Sequence, residues 1–187
     1  MLIGITGTIG AGKWVIVDYL LERGYTHYSA RTYFTRILEE QGLEVTRPNM
    51  TVLANWLREE HGWSYIIWQL IELAIQQWWD ALVESIRAVD EVTLLKQKHW
   101  LLIGVTADQQ LRYRRIVERG TSLDHITFEQ FVFDEHFEWS SPDPAKSNVF
   151  ACLEYVDQIF LNEWSIQDLY EQLDLYFDSL NLDSKSI

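Results

Sequence analysis

Seven residues near the amino terminus, Gly7-Thr8-Ile9-Gly10-Ala11-Gly12-Lys13, have the types and spacing to hold a phosphate group. They fit the pattern G-x-x-x-x-G-K, in which glycines let backbone N–H groups converge on phosphate oxygens and the lysine adds a point charge for the outer phosphates. Such a loop works when it follows a strand and opens a helix, whose N-terminal dipole also favours an anion. The apolar run Leu2 to Thr6 and the amphipathic stretch Val15 to Arg23, closed by Gly24, supply that context.

The next two residues depart from the pattern. A Ser or Thr hydroxyl directly after the lysine normally holds Mg²⁺, and here Trp14 and then Val15 follow. An indole also stands where the backbone meets phosphate, so steric exclusion of nucleotide is an expectation. Apolar neighbours disfavour the ammonium form of Lys13 and leave open an amine nucleophile for carbonyl compounds, beside its ordinary cationic role. His136, with Asp134, Glu135 and Glu138 nearby, leaves open a general base. The five histidines are scattered without metal-ligand spacing, so no metal cluster is expected, and Cys152 beside Ala151 and Leu153 reads as a buried thiol.

These groups need a frame. Further strands are expected at Tyr25 to Ala30, Ala81 to Ser85, Trp100 to Val105 and Tyr155 to Leu161, and helices at Arg31 to Gln41, Asn49 to His61, Ser64 to Trp79 and about Asp90 to Lys98. Five strands alternating with helices predict a parallel sheet covered on both faces, with its ligand site at the carboxyl ends of the strands. A helix is also expected from Thr127 to Trp139, and a loop from Ser140 to Ser147 with Pro142 and Pro144. At 187 residues the chain reads as one domain, with a lid at 120–150.

A formal net charge of −13 argues against nucleic acid or an anionic membrane as partner, and no stretch reaches the roughly 18 apolar residues of a membrane span. The expectation is a cytoplasmic protein with a small-molecule ligand, either a nucleotide or a hydrophobic compound. Self-association into a homo-oligomer stays open.

The segments GITGTIGAGK, THYSAR, NMTVLANWLREEHG, SYII, VESIR and RYRRIVERG together resemble the adenylate-kinase-like and dephospho-coenzyme A kinase-like P-loop nucleotide kinases, over nearly the whole chain. The resemblance implies the P-loop NTPase fold: a five-stranded parallel sheet with helices on both faces and a small helical lid. It implies ATP and Mg²⁺ as ligands, with Gly7, Gly10, Gly12 and Lys13 on the donor phosphates. It places Arg36, Arg58 and Arg87 on an acceptor phosphate, Arg112 and Arg115 closing from the lid, and Glu84 acting on Mg²⁺ through water. A buried structural carboxylate is the rival reading of Glu84.

Against that family, Trp14, Trp63, Trp68, Trp78, Trp79, Phe133 and Phe137 stand where smaller or polar residues are expected. Residues 14, 63 and 68 and the helix carrying Phe133, His136 and Phe137 would border the cleft or its lid. Three readings follow: a kinase-like protein whose phosphoryl transfer is impaired by Trp14 and Val15, an engineered scaffold with an aromatic pocket for a hydrophobic molecule, or an interaction module using the aromatic lid helix.

Overall fold

The computed structural model describes residues 1–76, 80–120, 127–139 and 147–183. Strand β1 (Leu2–Gly7) lies at the centre of a five-stranded sheet ordered β2-β3-β1-β4-β5, where β2 is Thr26–Tyr28, β3 Ala81–Ile86, β4 Leu101–Thr106 and β5 Gln158–Leu161. Every pairing is parallel, as the alternation of strands and helices requires. The predicted P-loop NTPase architecture is therefore the one observed.

Strand residues alternate between two cores. On one face, Ile3 and Ile5 of β1 pack with Ile16, Val17 and Leu20 of α1 (Lys13–Glu22) and with Leu169 and Leu173 of α9 (Ile166–Asp183). On the other, Val83 and Leu102 pack under helices α2 (Ala30–Glu40), α3 (Arg47–His61), α4 (Tyr65–Gln76), α5 (Val89–Gln97) and α8 (Val149–Glu154). Helix α6 (Gln109–Arg119) leaves β4 at its carboxyl end, and α7 (Phe128–Trp139) crosses it through the rings of Tyr113, Phe128 and Phe131.

Side-chain caps fix where these helices begin. Ser29 accepts from the Thr32 N–H, Thr46 from the Asn49 N–H, Asp108 from the Leu111 N–H and Asn148 from the Ala151 N–H. Because Ser29 opens α2, the strand expected through Ala30 stops at Tyr28. Helices α6, α8 and α9 had no counterpart among the expected elements; α9 nonetheless carries Leu169 and Leu173 four apart, both fully buried. Trp78, Trp79 and most of the 140–147 loop lie outside the described residues, and so does the Phe137 side chain. No described helix is long and apolar enough to cross a membrane.

Candidate phosphate-binding cleft

The phosphate loop leaves β1 at its carboxyl end and turns directly into α1. Gly10 and Gly12 adopt positive φ angles of 74° and 89°, and Gly12 is the N-cap of the helix. A Cβ at Gly10 would meet the Arg112 carbonyl oxygen at 2.6 Å, so both conformation and space demand glycine. In the first turn of α1 the Val15 N–H donates to the Gly12 carbonyl at 3.0 Å, and the N–H groups of Lys13 and Trp14 have no backbone acceptor among the described residues. Lys13 Nζ donates to the Gly7 carbonyl at 2.7 Å and to the Thr8 carbonyl at 3.1 Å. Burial pushes its ammonium down to about 8, assisted by Arg87 and Arg112 and opposed by Glu84.

Beside the loop lies a cleft of about 870 Å³ at the carboxyl edge of the sheet. Lys13 and Glu84 line it, and so do Arg31, Arg58, Arg87, Arg115 and Arg119. Six cations facing one cavity in a chain of net charge −13 make a strongly anion-seeking site. Phe34, Val45, Met50 and Ala54 give the same cavity an apolar wall. Glu84 lies two residues before the end of β3, hydrogen-bonded to the Ser85 hydroxyl and 4.0 Å from His27 Nε2.

Behind the arginines, buried Glu91 accepts from the N–H groups of Arg87 at 2.8 Å and Ala88 at 3.1 Å, which fixes the turn that presents Arg87. Burial raises its carboxyl to about 6, against those two bonds and the charges of Arg58 and Arg87. A folded-state value above the ordinary 4.5 means that the folded protein holds the proton more tightly, so this group's contribution to stability declines as pH rises from about 4.5 through 6. Glu91→Gln is expected to flatten that slope in denaturant titrations and to be more stable than the parent above pH 6, by about 1–2 kcal/mol. An unchanged slope in the variant would assign it to other groups.

The sequence profile of a family described as "AAA domain" matches residues 3–138. The chain belongs to that AAA domain family. UPF0200 protein PAE1629 of Pyrobaculum aerophilum is 27% identical over 175 residues, spanning 92% of this chain and 94% of that protein. Among solved structures, shikimate kinase from Acinetobacter baumannii in complex with shikimate aligns with a TM-score of 0.58 at 17% identity, covering 97% of this chain and 94% of that one. Dephospho-CoA kinase from Campylobacter jejuni aligns with a TM-score of 0.55 at 15% identity, covering 95% and 96%. These likenesses establish a P-loop kinase-like fold for this AAA domain.

Within the AAA domain, Gly10, Gly12, Lys13, Glu84, Arg58, Arg87 and Arg115 all line the cleft, and Gly7 contributes its carbonyl to Lys13. Arg36 does not: it is exposed and faces Glu40 at 3.7 Å, because five residues along a helix turn it about 140° away from Arg31. Arg31, missed although it lies in THYSAR, takes the cleft position, and Arg119 was missed as well. Arg112 is buried rather than open to ligand. Its guanidinium pairs with Glu135 and donates to the carbonyls of Ala107 at 2.9 Å and Ile9 at 3.2 Å, tying the phosphate loop to α6 and α7.

Most of the described aromatics expected to border the cleft do not line it. Trp14 stands at its rim, 63% exposed, with its ring edge against His27. Trp63 lies outside, beneath the Arg58 guanidinium, and Trp68 packs beside Tyr65 on the outer surface. Phe133 and His136 are exposed on α7, since turning Glu135 inward to Arg112 points its neighbours outward. Val15 is half-buried against the α1 core. For Mg²⁺, the indole and isopropyl groups at 14 and 15 offer no oxygen, and Glu84 alone does not make a ligand set. The described residues contain no group of three or more His, Cys, Asp or Glu placed to hold a metal. The side chains at 14 and 15 therefore do not fit a protein-held Mg²⁺.

Proposed function

We propose that this AAA domain is a P-loop nucleotide-kinase-like protein that binds the triphosphate of ATP over residues 7–13 and an anionic acceptor between Arg31, Arg58 and Arg87. Phosphoryl transfer is weakened because Trp14 and Val15 replace the hydroxyl that would hold Mg²⁺. The observation that carries this reading is the cleft itself, where Lys13 and five arginines converge beside a glycine loop in an otherwise acidic chain. Guanidinium groups suit bidentate contact with phosphate or carboxylate. The kinase names of the similar structures support the reaction class and leave the acceptor open. Buried Cys152 is compatible with a reducing cytoplasm.

An engineered pocket draws support from one residue only, since Trp14 alone of the described aromatics singled out lines the cleft. Self-association through α7 rests on the exposure of Phe133.

Calorimetry of Mg·ATP with the parent and with the Trp14→Gly, Val15→Thr double variant tests the proposal. The double variant is expected to bind about tenfold tighter, a difference of about 1.4 kcal/mol. Equal binding would show that Trp14 is tolerated and transfer need not be weakened at this step. Failure of both proteins to bind would remove the nucleotide reading.

A further inference from the structure

We propose that Asn162 is a positioning residue of the phosphate loop, which aims the Gly12 N–H at the bound phosphate and steadies Arg115 across the cleft. The inference rests on the reading that this loop holds a nucleoside triphosphate. Asn162 follows β5 and is 5% exposed, and its backbone N–H donates to the Thr106 carbonyl at 2.9 Å, so its Cα is pinned to the end of the sheet. Its side chain reaches the loop. Nδ2 donates to the Ala11 carbonyl at 2.8 Å in a buried bond, and Oδ1 accepts from Arg115 Nη2 at 3.5 Å.

The peptide between Ala11 and Gly12 is planar and trans, so its C=O and N–H point in opposite directions. Holding the carbonyl toward Asn162 therefore turns the Gly12 N–H away from Asn162. Gly12 lines the cleft and Asn162 does not, and the Gly12 N–H has no acceptor among the described residues. Without the Asn162 bond, the Ala11 carbonyl would be a buried acceptor lacking a donor, and rotation of the peptide would present an oxygen instead of an N–H to phosphate. Contact is close enough that a Cβ at Gly12 would run into Nδ2, which leaves this peptide little room for another arrangement while the amide is present.

Arg115 makes the second half of the argument. Its Nη1 is buried without a hydrogen-bond partner among the described residues, while Nη2 stands 3.5 Å from Asn162 Oδ1, so the guanidinium keeps an unused donor beside the cleft that Arg115 lines. One amide thus contacts both a backbone peptide and a side-chain donor that line the same cleft.

Asn162→Asp keeps the shape and the Arg115 acceptor but removes the donor to Ala11, whereas Asn162→Ala removes both. Two measurements decide the matter. The first is the crystal structure of each variant without ligand, in which the Ala11–Gly12 peptide is expected to rotate while β1 and β4 stay as in the parent. The second is calorimetric affinity for ATP and for inorganic tripolyphosphate, which is expected to fall by about tenfold or more for both probes and both variants. An Ala11–Gly12 peptide oriented as in the parent in both variants overturns the inference, and so does parental affinity in the Asp variant, which would mean that Asn162 only fills space. If the parent binds neither probe, the nucleotide reading fails, and the orientation of the Ala11–Gly12 peptide in the variants still decides whether Asn162 orients the loop.

Discussion

Glu135→Ala is expected to cost about 3–5 kcal/mol of folding stability, because it removes the carboxylate paired with the buried Arg112 guanidinium. Both side chains are nearly inaccessible, at 5% and 3%, and Glu135 also accepts from Gln109 Nε2 at 2.8 Å. Against a usual total of about 5–15 kcal/mol, such a loss takes the chain close to unfolding at ambient temperature. The cost belongs to the broken pair rather than to the presence of ions. A double replacement by apolar residues of similar volume, Arg112→Met with Glu135→Leu, should therefore stay closer to the parent than Glu135→Ala does. Urea titration of the three proteins measures this, and a loss below about 1 kcal/mol in Glu135→Ala would mean that water reaches the guanidinium and that the clamp is weak. The double replacement also gives up the Ile9 contact, so its phosphate affinity should fall even where its stability is kept.

Lys13→Met should lower ATP affinity by about two orders of magnitude, since a desolvated charge beside phosphate is worth about 2–5 kcal/mol. The comparison is best made in the Trp14→Gly, Val15→Thr background, where binding is expected to be tightest. Only the ammonium form attracts phosphate, and its proton is lost near pH 8 in the free protein. Affinity should therefore decline above about pH 8 with Lys13 present, and Lys13→Met should lack that step. The effect on folding has the opposite sense. A lysine whose folded value lies below the ordinary 10.5 leaves the unfolded chain holding more protons between these values, so stability rises with pH across that interval. Parental affinity in Lys13→Met would show that the arginines alone carry the phosphate.

What the sequence alone determined was whatever depends on neighbours along the chain. The glycines at 7, 10 and 12, followed by Lys13, require a loop between a strand and a helix, and the apolar runs place the strands, because backbone conformation and the facing of nearby residues follow local rules. From this came the five-stranded parallel sheet, the loop at its carboxyl edge, and the lack of a hydroxyl at 14 and 15. The tertiary structure decided which side chains reach the cavity. Arg31 and Arg36 share a helix, as do Arg112 and Arg115, yet in each pair one faces the cleft and the other is spent elsewhere. Asn162 meets Ala11 across 151 positions of sequence, a contact made only when β5 joins the sheet. Long-range approach and the outward facing of Trp63, Trp68 and Phe133 are set by the packing of whole elements, which no spacing within one segment encodes.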